Sequence, residues 1–212
     1  MASASASPDQ AAPGSRIAVL VSGRGSNLQA LLDAIGDRPG ARALQRVDPA
    51  LRWSRDARSY ARRAGFDAEL ADAVAAVSPD WVVCAGYMRI LDDAFIARFT
   101  GRLLNIHPSL LPAYPGLRTH VRAIAAAERE HGASVHFVTG ELDGGPVFAQ
   151  AKVPVLANDD PASLSARVLA VEHPLLVMAV GLAVAGRIAE QDATVLLDGH
   201  PLFTPLQLGS MT

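Results

Sequence analysis

The chain has 212 residues, a formal net charge of −2, 50% hydrophobic and 19% charged residues, a composition of one globular domain and not of a disordered or fibrous chain. The near balance of charge, with Lys152 the single lysine, disfavours a protein that neutralises many nucleic-acid phosphates. One cysteine, Cys84, excludes an internal disulfide and a cysteine-only zinc site. No uninterrupted run of eighteen apolar residues suggests a membrane span, and the first thirty residues lack the charged start and apolar stretch of a secretory signal. A soluble, cytoplasmic, enzyme-sized domain is the expectation.

Residues 1–15 read MASASASPDQAAPGS, small, polar and proline-broken, which predicts a disordered leader. Ile17–Val21 is a short apolar run suited to a strand buried on both faces. It ends in Ser22-Gly23-Arg24-Gly25-Ser26-Asn27, after which Leu28, Leu31, Leu32 and Ile35 recur at helical spacing. From Ile35 to Trp81 no convincing strand is legible; Ala41–Arg46 and Ser54–Ala64 read as helical. A parallel sheet would return after its first helix, so a strand is missing from this reading.

Further strands are expected at Trp81–Ala85, Leu103–Ile106, Ser134–Thr139 and Val147–Val155, the last two flanking a Gly-rich loop at 140–145. Pro161–Gly186 carries Leu164, Val168, Val171, Leu175, Met178 and Leu182, predicting a long amphipathic helix interrupted or kinked near Pro174. Thr194–Leu202, with Asp198-Gly199 as its turn, predicts a terminal hairpin. Strands alternating with helices indicate an α/β fold with a doubly wound, mainly parallel sheet. The expected division is a leader at 1–15, a catalytic domain at 16–190, and a hairpin and tail at 191–212.

Three groups of residues could carry chemistry. The turn at 22–27 lacks the third glycine of a dinucleotide fingerprint and the Gly-Lys-Ser/Thr of a triphosphate loop. Its glycines allow close backbone approach, Ser26 and Asn27 can cap the helix, and its amides with the helix dipole suit one phosphate; a plain strand-to-helix turn is the other reading. Asn105 and His107, two apart on a strand, share a face. Pro108 marks the carboxyl end of that strand, where doubly wound folds bind ligands. A carboxamide beside an imidazole suits attack on a carbonyl, one steadying the oxyanion and the other handling a proton. The Glu141-Leu142-Asp143-Gly144-Gly145 turn would hold the Asp143 carboxylate in a fixed direction, unless it is an ordinary hairpin turn.

The other histidines carry less. His120 lies in a polar stretch where it could touch a ligand, His131 reads as a cap, and His200 falls in the terminal turn; His136, between Val135 and Phe137, could face a site or be a satisfied sheet histidine, the second being favoured. Cys84 reads as core. No metal site is expected, and no G-x-S-x-G elbow marks a serine hydrolase.

Taken together, SGRGSN at 22–27, AGYMRIL at 85–91, GRLLNIHPSLLPAYPGL at 101–117, HGASVHFV at 131–138 and ELDGGPV at 141–147 resemble the glycinamide ribonucleotide formyltransferase family, over roughly residues 16–202. The resemblance implies transfer of a formyl group from 10-formyltetrahydrofolate to the primary amine of glycinamide ribonucleotide, without a metal. It implies Asn105, His107 and Asp143 as the catalytic trio, with Asn105 and protonated His107 stabilising the tetrahedral oxyanion and Asp143 supporting the charge on His107. Gly25, Ser26 and Asn27 match the substrate-phosphate loop, and Gly86, Met88, Pro108 and Glu172 the rest of the substrate site. Arg89, Ile90, Leu91, Val138, Thr139, Gly140 and Glu141 match the folate cleft. The implied partners are these small molecules, with no nucleic acid or membrane and a monomeric or homodimeric state.

Related formyltransferases that act on an amino-sugar nucleotide, or a silent folate-binding module, are the alternatives. Three departures from the family stand out: Arg118 where it has a histidine, Leu169 where a polar residue approaches the phosphate, and a shortfall of about a strand and loop between Ile35 and Trp81. That shortfall means either a lost strand or a sequence joined across an omitted segment; the second is the expectation.

Overall fold

The computed structural model describes residues 15–22, 24–36 and 63–208. Nearly all of the leader, Gly23, the expected helix at 41–46 and most of that at 54–64 lie outside them.

Six strands form the main sheet in the order β1 (Ile17–Leu20), β2 (Trp81–Cys84), β3 (Leu103–His107), β4 (Glu130–Phe137), β5 (Val147–Pro154) and β9 (Leu206–Gln207). Pairing is parallel from β1 to β3 and between β5 and β9, and antiparallel on both sides of β4. Only β4 is reversed, so the sheet is mainly parallel. The near-continuous apolar character of IAVL, WVVC and LLNIH follows from helices covering both faces.

On one face α1 (Ser26–Gly36), α4 (Thr119–Ala125) and α5 (Pro161–Val184) enclose a core of Leu31, Val83, Leu104, Phe148, Leu164, Val168 and Leu175. On the other, α2 (Arg63–Ala76) and α3 (Asp93–Arg98) pack Phe66, Leu70, Phe95 and Phe99 against Leu20, Val82 and Leu103. The doubly wound expectation is met in this layering.

Three details differ from the sequence reading. The long helix is not interrupted: α5 runs 24 residues with Pro174 inside it. Leu164, Val168, Leu175, Leu176 and Ala179 are fully buried, and that burial holds the helix together where the proline forfeits one backbone bond. By length and hydropathy α5 could span a bilayer, but its buried stripe packs on β4, β5 and α1, the position of a core helix. The helix before β2 is Arg63–Ala76, overlapping the expected 54–64 only at its first two residues. The terminal hairpin forms as expected, β7 (Thr194–Leu197) and β8 (His200–Pro201) joined at Asp198-Gly199, but β6 (Ile188–Gln191) adds a third antiparallel strand that begins before residue 191. β1 pairs directly with β2, and among the described residues no further strand lies beside β1; the expected shortfall falls on 37–62, outside them.

Candidate active site at the carboxyl end of the third strand

The strand alternation places Asn105 and His107 on one face of β3, as expected, and both reach the same carboxylate. His107 Nδ1 lies 3.4 Å from Asp143 Oδ2, and Asn105 Nδ2 lies 3.5 Å from Asp143 Oδ1. Asp143 sits at φ +51°, a left-handed conformation that aspartate tolerates better than most residues. The following Gly145 explains the turn: a Cβ there would sit 1.9 Å from the Phe137 carbonyl oxygen, so only glycine lets the loop lie against β4. The Gly116 amide donates to Asp143 Oδ2 at 2.7 Å and fixes the carboxylate from the other side.

A fourth residue joins them. β4 runs antiparallel to β3 with Asn105 opposite His136. His136 is buried, with Nδ1 2.8 Å from the Phe137 carbonyl oxygen and Nε2 3.1 Å from Asn105 Nδ2. A carbonyl only accepts, so the network puts the hydrogen on Nδ1 and leaves Nε2 to accept from Asn105. His136 also lies 3.6 Å from Asp143. It is thus a satisfied sheet histidine that also faces the site.

His107 has both nitrogens engaged. Nε2 meets the Tyr114 carbonyl at 3.0 Å, so it carries a hydrogen, and Nδ1 is the nitrogen turned toward Asp143. Burial lowers the His107 pKa from 6.5, although the Tyr114 carbonyl and the Asp143 charge act upward. For Asp143, burial acts upward, but the Gly116 amide together with the His136 and His107 rings beside it outweigh that and hold the carboxyl below its ordinary 3.8.

The loop after His107 is pinned from the sheet. Ser134 Oγ accepts from the Leu111 amide at 3.0 Å and donates to the Ser109 carbonyl at 2.7 Å. Gln150 Nε2 donates to Ser134 Oγ and to the Leu111 carbonyl. The Leu111-Pro112 bond is cis. Behind Tyr114, His131 is buried in β4 and not a cap; its Nε2 is 3.2 Å from His120 Nδ1, and its ring also bonds the Pro108 carbonyl. His120 belongs to α4 and touches His131. Burial pushes the His131 pKa down to about 4. Burial likewise pushes the Cys84 thiol up to about 12, as befits a core residue.

At the glycine turn, Gly25 has φ +77° and its carbonyl accepts the first helical bond from Gln29. Ser26 opens α1 beside it. Asn27 does not cap the helix through its oxygen: its side chain turns inward, Nδ2 donates to Glu172 Oε2 at 3.3 Å, and its Oδ1 is buried without a hydrogen bond. Burial raises the Glu172 pKa above 4.5, with the Asn27 bond partly opposing it.

The remaining predicted residues line two adjoining loops. Gly86 has φ +76°, Met88 and Ile90 are exposed, and Leu91 is buried. Arg89 stacks 4.1 Å over the Phe66 ring and lies 3.9 Å from buried Asp67. Val138 donates its amide to the Leu103 carbonyl, Thr139 is half-buried, and Glu141 is exposed. Gly140 approaches Asp93 at the start of α3, which brings the 139–143 loop beside the 88–91 strip. Half-buried Pro108 leads from His107 into the pinned loop. Arg118 sits at φ +58° ahead of α4 without capping it, and Leu169 is exposed on α5. Among the described residues no group of three or more His, Cys, Asp or Glu is placed to hold a metal ion.

The family model described as "Formyl transferase" matches residues 37–180, more than half of the chain. The chain belongs to the formyl transferase family. It is 44% identical to the phosphoribosylglycinamide formyltransferase of Escherichia coli strain K12, across 88% of this chain and 95% of that one. It is 40% identical to the Mycobacterium tuberculosis enzyme of the same name, across 86% and 94%. Among solved structures, the phosphoribosylglycinamide formyltransferase of Coxiella burnetii superposes with a TM-score of 0.80 at 38% identity, covering 92% of this chain and 99% of that one. A formyltetrahydrofolate deformylase from Pseudomonas syringae, at 22% identity and a TM-score of 0.75, shares the fold. This formyl transferase therefore carries its Asn-His-Asp cluster on the family's α/β sheet.

Proposed function

We propose that this formyl transferase moves the formyl group of 10-formyltetrahydrofolate onto the primary amine of glycinamide ribonucleotide, in purine synthesis, the activity for which its relatives are named. The observation that carries the reading is the convergence of Asn105, His107 and Asp143 within 3.5 Å at the end of β3. A carbonyl-attack site needs an N–H donor for the oxyanion and a group that takes up and returns one proton.

The folate fits the residues present. Exposed Ile90 and Leu142 offer apolar contact for its rings, while the backbone of 139–141 offers polar groups. The ribonucleotide phosphate would sit on the amides of Gly25, Ser26 and Asn27, and Glu172 would meet the glycinamide end. Gly86, Met88 and Pro108 complete that side.

The amine nitrogen forms a bond to the formyl carbon as the carbonyl π bond opens. Asn105 donates the Nδ2–H now held in its long contact with Asp143 to the developing oxyanion. The amine gives up a proton, which His107 Nδ1 accepts; ionised Asp143 beside it stabilises the imidazolium. Collapse of the intermediate breaks the carbon–N10 bond, and the proton passes to N10 of the departing tetrahydrofolate. The reaction takes place in the cytoplasm, with the chain as monomer or homodimer.

The test is the absorbance change on tetrahydrofolate formation with the two named substrates. Turnover by the wild type and its loss in His107→Ala are expected. Turnover of an amino-sugar nucleotide in preference to the ribonucleotide, or binding of both ligands with no transfer, overturns the reading.

A further inference from the structure

Ser22 precedes the glycine turn at the end of β1, and its partners lie 64 and 66 residues away. Its Oγ accepts from the Met88 amide at 2.6 Å and donates to the Gly86 carbonyl at 3.1 Å. The β1–β2 ladder ends one step earlier, where the Ala85 amide reaches the Leu20 carbonyl at 2.9 Å. The next backbone rung, from the Ser22 amide to Gly86, has stretched to 3.4 Å. The hydroxyl takes over where the backbone ladder gives out.

What this joins is specific. On one side, three residues after Ser22, lie Gly25, Ser26 and Asn27. On the other lies the strip 88–91, whose far end is anchored by Leu91 in the core and by Arg89 on Phe66. The side chains of Met88 and Ile90 are 70% and 57% exposed, while Tyr87 between Gly86 and Met88 packs in part against the core. Gly86, at φ +76° with open space around it, is the turn by which that end leaves β2. A single hydroxyl bonded to both Gly86 and Met88 fixes it to the phosphate turn.

We infer that Ser22 is a positioning residue that couples the two ligand loops: ordering the phosphate turn orders the 86–91 strip, and the reverse. This rests on the assignments given above: the turn, Gly86 and Met88 to the ribonucleotide, and Arg89, Ile90 and Leu91, further along the same strip, to folate. Each ligand then binds more tightly when the other is present, because part of the ordering has already been done.

The experiment is titration calorimetry with glycinamide ribonucleotide and tetrahydrofolate, a pair that binds without reacting. Each is titrated alone and with the other saturating. In the wild type each ligand should tighten the other on the order of fivefold to tenfold. Ser22→Ala should bring that ratio near one, and Ser22→Thr, which keeps a hydroxyl, should restore it. A ratio near one in the wild type overturns the proposal. So does a Ser22→Ala protein that binds both ligands more weakly with its ratio unchanged, since that is the mark of a merely structural serine. Failure of either ligand to bind the wild type at all would instead count against the assigned function.

Discussion

His136 Nε2 lies 3.1 Å from Asn105 Nδ2 and accepts its hydrogen, because the Phe137 carbonyl holds the other ring nitrogen as a donor. The carboxamide is thereby held with its N–H groups toward the site. Replacing His136 by alanine removes the acceptor and frees the amide to rotate. The predicted effect is a fall in kcat of about tenfold to a hundredfold, the scale of a lost, preorganised hydrogen bond, with a smaller change in KM. Steady-state kinetics check it; an unchanged kcat would remove His136 from the site.

Asn105→Ala deletes the oxyanion donor itself and is expected to cost on the order of 10²–10³ in kcat. Asp143→Asn keeps the shape of the turn but removes the charge that supports the imidazolium. An Asp143→Asn enzyme with near-wild-type turnover would refute the role given to the carboxylate.

The pH profile follows from His107. Burial lowers its pKa below 6.5, and the base form is the active one, so kcat/KM should hold as pH falls toward 6.5 and decline only below it. Asp143, held below 3.8, stays ionised throughout. An acid limb centred above pH 7 would contradict this assignment.

Stability should also depend on pH through His131. Its folded pKa is about 4 against 6.5 for an unperturbed histidine, so between those values the unfolded chain binds more protons than the folded one. Stability is therefore full above pH 6.5 and falls as the pH drops toward 4. Thermal melts from pH 7.5 to 4.5 should show the decline, and His131→Asn should flatten it. Parallel curves for the two proteins would place the pH sensitivity elsewhere.

The two glycines after Asp143 should respond differently to alanine. At Gly145 a Cβ would meet the Phe137 carbonyl oxygen at 1.9 Å, a backbone atom that cannot swing aside. At Gly144 it would meet the Glu141 side chain at 2.4 Å, which is exposed and rotates away. Gly145→Ala is predicted to lower Tm and displace Asp143 with loss of activity, and Gly144→Ala to be nearly neutral. Equal effects would mean the turn is not seated on β4 as described.

Much of the site is legible in the amino-acid sequence because local spacing carries it. Asn105 and His107 share a face for the reason that any residues two apart on a strand do, and the turn at Gly144-Gly145 announces itself by composition. His136 is visible as a polar residue between Val135 and Phe137, but nothing local says which face of β4 meets β3. That depends on the antiparallel register setting Asn105 opposite His136. Of the two outcomes expected at Pro174, an interruption or a kink, the interruption does not occur for a similar reason: the rule is local, whereas the buried stripe of α5 is a property of the whole core.

Periodicities of a few residues are enough to settle the α/β layering, the glycine turn that opens α1, and the pair on β3. They do not reach the bond from Ser22 to Met88, the turn of Asn27 away from its helix to meet Glu172 across 145 residues, or the burial that lowers the His107 pKa. Those outcomes depend on strand register and on burial. Both are set by contacts between segments far apart in the chain, and no local pattern of residue types encodes them.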